Sequence, residues 1–458
     1  MFIDLSALIA HNPPMLGYGV AVADLHGNGT HIFVVAGFGC DNRLLAWDGG
    51  RLVDGIDRLL ASPQRQSIGV AAADIDGDGR EEIYVLNTDT FAGAKSYGDN
   101  LFTSRHGTWT DVFAFPENER VGNRVAGRSV CAIDRYGHGR YGFAVASYGG
   151  PIRLYECRQT RDQLYDAAPD ARIDMVAGGR SVVALPLVSA PGRIDLFFAN
   201  ENGPNFLFAS DGEGAFEDVA EAMGVADELE HGRGVAVLDA DGNGRFDLAI
   251  GNWQGENRLF LQSPMGGFLD AASPDLARPS AVRTVIAADF DNDGYEEIFF
   301  NNFGEPNRLF GWREGVWTRL PMGAAAEPEA LGTGAAVADI DDDGRLELLV
   351  AHGESEPQPL SLYRADAKGN SWLRVQPLTP AGAPARGAVV TLCAPDRLQR
   401  RVIDGGSGYL CQMEPVAHFG LGSKPEVEWV EIVWPGGASG RIPVPAANQT
   451  LRVPHPPV

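Results

Sequence analysis

Four stretches of this chain place carboxylate or amide oxygens at alternate positions of a glycine-rich turn, and that spacing restricts the fold more than any other feature. In Leu238-Asp-Ala-Asp-Gly-Asn-Gly-Arg-Phe-Asp-Leu248, oxygen side chains stand at the first, third, fifth and ninth loop positions. A hard divalent cation takes about six to eight oxygens at short range. Alternate side chains of a curled loop must therefore point inward, the seventh residue supplies a backbone carbonyl, and glycine supplies the bend. This is calcium chemistry. An EF-hand loop begins the same way but needs a glutamate at its twelfth position and a helix on each side. Here that position is Ile250, and the flanks Gly234–Leu238 and Leu248–Ile250 are short apolar runs that read as strands.

The candidate ligands of this loop are Asp239, Asp241, Asn243 and Asp247, with the carbonyl of Arg245. The pattern recurs as Asp74, Asp76, Asp78 and Glu82 with Arg80, as Asp289, Asp291, Asp293 and Glu297 with Tyr295, and as Asp339, Asp341, Asp343 and Glu347 with Arg345. Four Ca2+ sites are expected; the competing reading is solvated Asp-Gly turns between hairpin strands. Three further segments keep the frame without the ligands. They are Asp24-x-His26-x-Asn28 with Ile32 at the ninth position, Asp134-x-Tyr136-x-His138 with Gly142 there, and Pro186–Gly192 before Asp195. No metal is expected in those three.

Marking each loop start gives seven units of 50 to 60 residues, each with the same four short apolar runs. The fifth unit has Gly234–Leu238, Phe246–Ile250, Asn257–Leu261 and Gly267–Ala271. Seven units of four antiparallel strands predict an all-β chain whose residues 1–366 form a seven-bladed β-propeller. A solenoid is the alternative, but it would require end caps that the sequence does not show. Met1–Ser6 resembles the fourth strand of a unit, while the seventh unit stops after its third run, Leu360–Tyr363. The N-terminal strand is therefore expected to complete the last blade and remove two open sheet edges. Such a strand is no removable leader, so the chain as given reads as cytoplasmic, or extracellular or periplasmic if a leader has been trimmed.

From residue 367 to 458 the loop period ends and Gly- and aromatic-punctuated runs predict a small antiparallel β-sandwich. Asn370-x-Trp372-Leu, Gly406-Ser-Gly-Tyr409-x-x-Gln412, His418-Phe-Gly-Leu-Gly422, Trp434-Pro-Gly-Gly437 and Asn448-Gln449 follow one another there. Together with the FG-GAP/VCBS-type Asp-rich repeats, these motifs resemble the cartilage acidic protein family with its C-terminal ASPIC/UnbV domain. The repeats alone are shared with integrin α-subunit propellers; the C-terminal motifs are the specific ones. Two departures stand out: Cys411 where relatives carry a small hydroxyl residue, and Arg386-Gly-Ala where Ile-Gly-Ala is common. The resemblance implies a matrix-type interaction protein, or a protein encoded with enediyne pathways, and names no reaction.

Composition narrows the partners. A formal net charge of −24 over 458 residues opposes binding to nucleic acid or to anionic membrane surfaces, and no apolar run reaches membrane-span length. Five cysteines, Cys40, Cys131, Cys157, Cys393 and Cys411, form no disulfide framework. Cys393 and Cys411 are a candidate pair, with buried thiols the alternative. There is no Walker loop, HExxH, nucleophile elbow or zinc-spaced Cys/His set. Gly405-Gly-Ser407-Gly reads as a turn, and His418 as a structural histidine.

One pattern marks a ligand site. Six residues before each loop start, at the beginning of each innermost strand, the units carry Tyr18, Ile68, Arg128, Arg180, Arg233, Arg283 and Thr333. In a propeller these positions ring the channel mouth opposite the metal loops, so four guanidinium forks suited to carboxylate or phosphate would converge there. His231, Trp253, Phe303 and Tyr148 are expected at the same mouth. Alternatively the arginines pair between blades with Glu201, Glu256, Glu305 and Glu354. The sequence thus supports a calcium-stabilised interaction protein presenting a rigid face to a protein, a glycan or an anionic small molecule. A tailoring enzyme of specialised metabolism, holding an anionic or carrier-linked substrate at the arginines, is the second reading.

Overall fold

The computed structural model describes residues 2–457 apart from 106, 159–161, 368 and 407. Gly17–Ala23, Ser67–Ala73, Gly127–Ile133, Val176–Leu185, Gly232–Leu238, Val282–Ala288 and Gly332–Ala338 are the innermost strands of successive four-stranded antiparallel units. Their small and β-branched residues are buried on both faces. In the first, Val20 and Val22 pack toward the seventh unit while Ala21 and Ala23 pack toward the second. Every unit interface is filled this way, so the apolar core is a ring of clusters between neighbouring blades of a β-propeller. The third and fourth units are further joined where Tyr148–Pro151 pairs with Val176–Gly178.

Phe2–Asp4 pairs antiparallel with Tyr363–Ala365, and Phe2 packs edge-on against Phe290 at 5.0 Å between ring centres. The chain's first described residues thus supply the outer strand of the seventh unit; Met1 lies outside the described residues.

The tail forms two sheets over one apolar core. Arg397–Val402, Val389–Ala394, Trp429–Val433 and Ser439–Pro443 make an antiparallel sheet. The facing sheet, with Ala417–Gly422, Ser371–Pro377 and Thr450–Val453, corrects the all-antiparallel expectation. There Ser371–Pro377 and Thr450–Val453 run parallel, from Arg374 opposite Thr450 to Pro377 opposite Val453, which the long connection between them allows. None of the five cysteines is in a disulfide. Cys393 lies at the sandwich surface beside Glu428, whereas Cys411 is buried in the propeller channel, so the proposed Cys393–Cys411 pairing does not form. Among the described residues no helix is long and apolar enough to cross a membrane.

Acidic loops, axial plug and arginine mouth

At the four complete loops the chain turns directly from the innermost strand into the next, which gathers acids from both sides of the bend. Asp74, Asp76 and Asp78; Asp239, Asp241 and Asp247; Asp289, Asp291 and Glu297; and Asp339, Asp341 and Glu347 each bring ligand oxygens within 4.8 Å of one another. Burial is the main cause that lifts these carboxyls, to about 6 for Asp74 and Asp339 and about 7 for Asp247 and Asp289, and pushes Glu82, Glu297 and Glu347 well up. Asp239 Oδ1, Asp289 Oδ1 and Asp341 Oδ1 are buried without a hydrogen-bond partner among the described residues. A buried acceptor left over in a nest of acids fits a hard cation. The sequence did not show that an arginine of the third strand leans over three of the loops: Arg105 on Asp76, Arg313 on Glu297 and Arg364 on Glu347.

The degenerate loops keep the backbone hydrogen bonds that Asp74 and Asp339 also make, but they lack the further acids that would complete a cluster. Asp24 accepts from the N–H groups of Asn28 and Gly29, and Asp134 from those of His138 and Gly139. Asp195 accepts from the N–H groups of Leu187, Val188, Ser189 and Ser210.

The C-terminal sandwich sits on this loop face. Arg374 Nη1 lies 3.0 Å from Asp339 Oδ2, Asn370 donates to the Asp291 carbonyl at 2.9 Å, and Arg397 to the Asp293 carbonyl at 2.6 Å. The departure at Arg386 is explained here: its guanidinium pairs with Glu81 at 2.6 Å, both side chains fully buried, and donates to the Val22 carbonyl.

From the sandwich, Asp404–Gln412 leaves the sheets and enters the propeller channel, so the glycine-rich segment expected to be a simple turn is an axial plug. Ser407 lies outside the described residues. The innermost strands leave backbone groups facing the axis, and the plug satisfies them. Ala132 N–H donates to the Gly405 carbonyl at 2.7 Å, Val20 N–H to the Leu410 carbonyl at 3.1 Å, and the Gln412 amide both accepts from and donates to the backbone of Ala72. A side chain on Gly408, at φ +105°, would lie 2.4 Å from the Val235 carbonyl oxygen, so the close approach requires glycine. Leu410 itself is held at φ +61°.

The plug reaches the opposite face at Tyr409, beneath a mouth of about 550 Å³. Arg128, Arg180, Arg233 and Arg283 all line it, as does Trp253. Their planar guanidiniums stack on aromatic rings: Arg180 on Tyr148 at 4.3 Å, Arg283 on Trp253 at 4.1 Å and on Phe303 at 5.1 Å, and Arg128 on Phe91 at 5.3 Å. Inter-blade pairing holds in part. Glu201 bridges Arg180 and Arg233, the latter at 2.8 Å, and Glu354 meets Arg283 at 2.5 Å. Burial opposes the ionisation of Glu201, yet the Arg233 hydrogen bond and the two guanidinium charges hold its carboxyl at about 2. Glu256 turns instead to Arg258, and Glu305 does not line the mouth.

Arg128 meets no carboxylate among the described residues: it donates to the carbonyls of Gly127 and Phe91. Its pKa falls to about 10, first through burial and then through Arg180 and Arg233, against the opposing influence of Tyr409. His231 corrects the sequence expectation, because its backbone pairs with Glu201 but its ring does not line the mouth. Tyr409 and Phe91 were missed. The signal available for Tyr409 was the glycine spacing before it, which implies backbone packed against backbone.

Acidic loops repeated from blade to blade of a propeller define a repeat protein of the FG-GAP type, a class that mediates binding. Models of the FG-GAP-like repeat match residues 192–250, 239–300 and 289–350, and the model of the ASPIC and UnbV family matches residues 379–457. The chain belongs to the cartilage acidic protein family. It is 46% identical over 463 residues to cartilage acidic protein 1 of Xenopus tropicalis, covering 93% of this chain and 71% of the relative. It is 44% identical over 484 residues to that of Homo sapiens, covering 97% and 73%. In fold alone it is similar to the BP39L lectin from Burkholderia pseudomallei, with a TM-score of 0.51 and 14% identity over 78% of this chain and 98% of the lectin.

Proposed function

We propose that this protein is a calcium-stabilised binding protein whose propeller mouth takes up an anionic group, a carboxylate or sulfate-type oxyanion on a small molecule or on a larger partner. The observation that carries this reading is the charge balance of the mouth. Four buried guanidiniums face three carboxylates: Glu201 and Glu354 pair with three of the arginines, Asp89 at the rim accepts from the Ser96 N–H, and Arg128 faces the cavity with only carbonyl acceptors. The acidic loops would hold Ca2+ through their carboxylates and the carbonyls of Arg80, Arg245, Tyr295 and Arg345. The ion would supply charge neutralisation that fixes the loops under the sandwich.

Calorimetric titration with sulfate, acetate and benzoate tests the mouth. Arg128→Met removes no partner from a buried acid, so the protein should fold normally. Its affinity for the best anion should fall by roughly ten- to a hundredfold, the worth of a hydrogen bond to a charged group. Equal affinity in wild type and variant, or no binding of any of the three anions, refutes the reading.

A further inference from the structure

The plug could have filled the channel with an apolar side chain. Instead it brings a phenol to the floor of the arginine mouth, on a backbone held by Thr284, whose hydroxyl donates to the Tyr409 carbonyl at 2.8 Å. Leu410 beside it is held at positive φ, and strained backbone of this kind gathers at working sites. The Tyr409 ring is 4% exposed and lines the cavity, yet its hydroxyl has no hydrogen-bond partner among the described residues.

We infer that the Tyr409 hydroxyl is a ligand-binding group of the mouth, donating a hydrogen bond to a bound oxyanion. This rests on the anion reading above and assigns a residue of the C-terminal domain to the propeller's site. The mouth is therefore complete only when the sandwich is seated.

The charged and titratable groups around Tyr409 come from every side of the channel. Tyr18 stands on the first innermost strand, Arg128, Arg180, Arg233 and Arg283 on the third to sixth, and Asp89, Glu201 and Glu354 in loops at the rim. Burial resists ionisation of the phenol, but the Arg180, Arg283, Arg233 and Arg128 charges outweigh it and move Tyr409 below the ordinary tyrosine range. Tyr18 moves the opposite way, through burial and then through Glu354 and Tyr409. An external anion neutralises the same guanidiniums, so phenolate and ligand compete for one field, and the competition ends with the phenol protonated and donating.

The test compares wild type with Tyr409→Phe, which removes only an unpartnered hydroxyl and should fold. Affinity for sulfate or acetate, whichever binds better, is measured across pH and in two buffers of different ionisation enthalpy. Below the Tyr409 transition the variant should bind roughly tenfold more weakly, having lost a hydrogen bond to an anion. Above it the order should reverse, because wild type carries a competing phenolate; wild-type affinity falls through that transition, whereas the variant's holds level until Arg128 begins to lose its proton near pH 10. Proton uptake on binding, and loss of a near-ultraviolet tyrosinate band on adding sulfate, should appear in wild type only. Parallel pH profiles with equal proton uptake overturn the role of Tyr409 and leave the anion site standing. Failure of wild type to bind either anion overturns both.

Discussion

The backbone N–H of Gly420 donates to Asp289 Oδ2 at 2.9 Å, so a strand of the C-terminal sandwich grips a candidate calcium ligand by one oxygen while Asp289 Oδ1 stays buried without a partner. A side chain at position 420 would come within 2.3 Å of both that oxygen and the Asn292 carbonyl carbon. Gly420→Ala must therefore lift the strand from the loop. We expect native mass spectrometry to count four calcium ions in wild type and three in the variant, with a loss of about 1–3 kcal/mol from overpacking. Four ions and unchanged melting in the variant would show that sandwich and loop are independent.

Closure of the ring rests on Phe2, which is 3% exposed between the sixth and seventh units. Phe2→Ala should cost about 3–5 kcal/mol by cavity formation, and deletion of the first six residues should bare an unpaired edge and cause aggregation. Chemical denaturation and light scattering read the two effects. Wild-type melting of the truncated chain would mean that the N-terminal strand is dispensable.

The Arg386–Glu81 pair joins the sandwich to the propeller with both side chains out of solvent. Arg386→Ile strands a buried carboxylate and should cost about 3–5 kcal/mol, whereas the Arg386→Ile, Glu81→Leu double variant should recover most of that loss. A double-mutant cycle by denaturation measures the coupling; additive losses would contradict it.

Without calcium the loop acids make stability depend on pH in an unusual direction. Asp247 and Asp289 are raised to about 7 and Asp74 to about 6, with burial the first cause. The folded chain then holds more protons than the unfolded chain between roughly pH 4 and 7. Their contribution is full below the unfolded carboxyl range and is lost as pH rises through 6 to 7. In chelator the melting temperature should fall over that window, and the increment from added calcium should grow with pH. A chelated protein that gains stability from pH 5 to 8 would contradict the burial of these acids.

Much of this molecule was legible because its local chemistry repeats. Position-by-position spacing around Asp239 and its copies located the strands and turns, and the missing fourth strand after Tyr363 pointed to Phe2–Asp4. The start of each innermost strand, read as a column, places Arg128, Arg180, Arg233 and Arg283 at one mouth. Long-range threading was not legible. Nothing local in Gly405–Gln412 distinguishes a surface turn from a segment that satisfies backbone groups of Val20, Ala72 and Ala132 inside a channel. The parallel pairing of Arg374 with Thr450 and the Glu201 bridge between Arg180 and Arg233 are likewise set by which distant elements meet.

The most direct test of the binding mouth is the anomalous difference map of a crystal soaked in selenate, an anion isosteric with sulfate. A selenium peak is expected inside the mouth, within hydrogen-bond distance of the Arg128 guanidinium and the Tyr409 hydroxyl, and it should disappear in Arg128→Met. Peaks confined to the outer surface, or an empty mouth at saturating selenate, would contradict it.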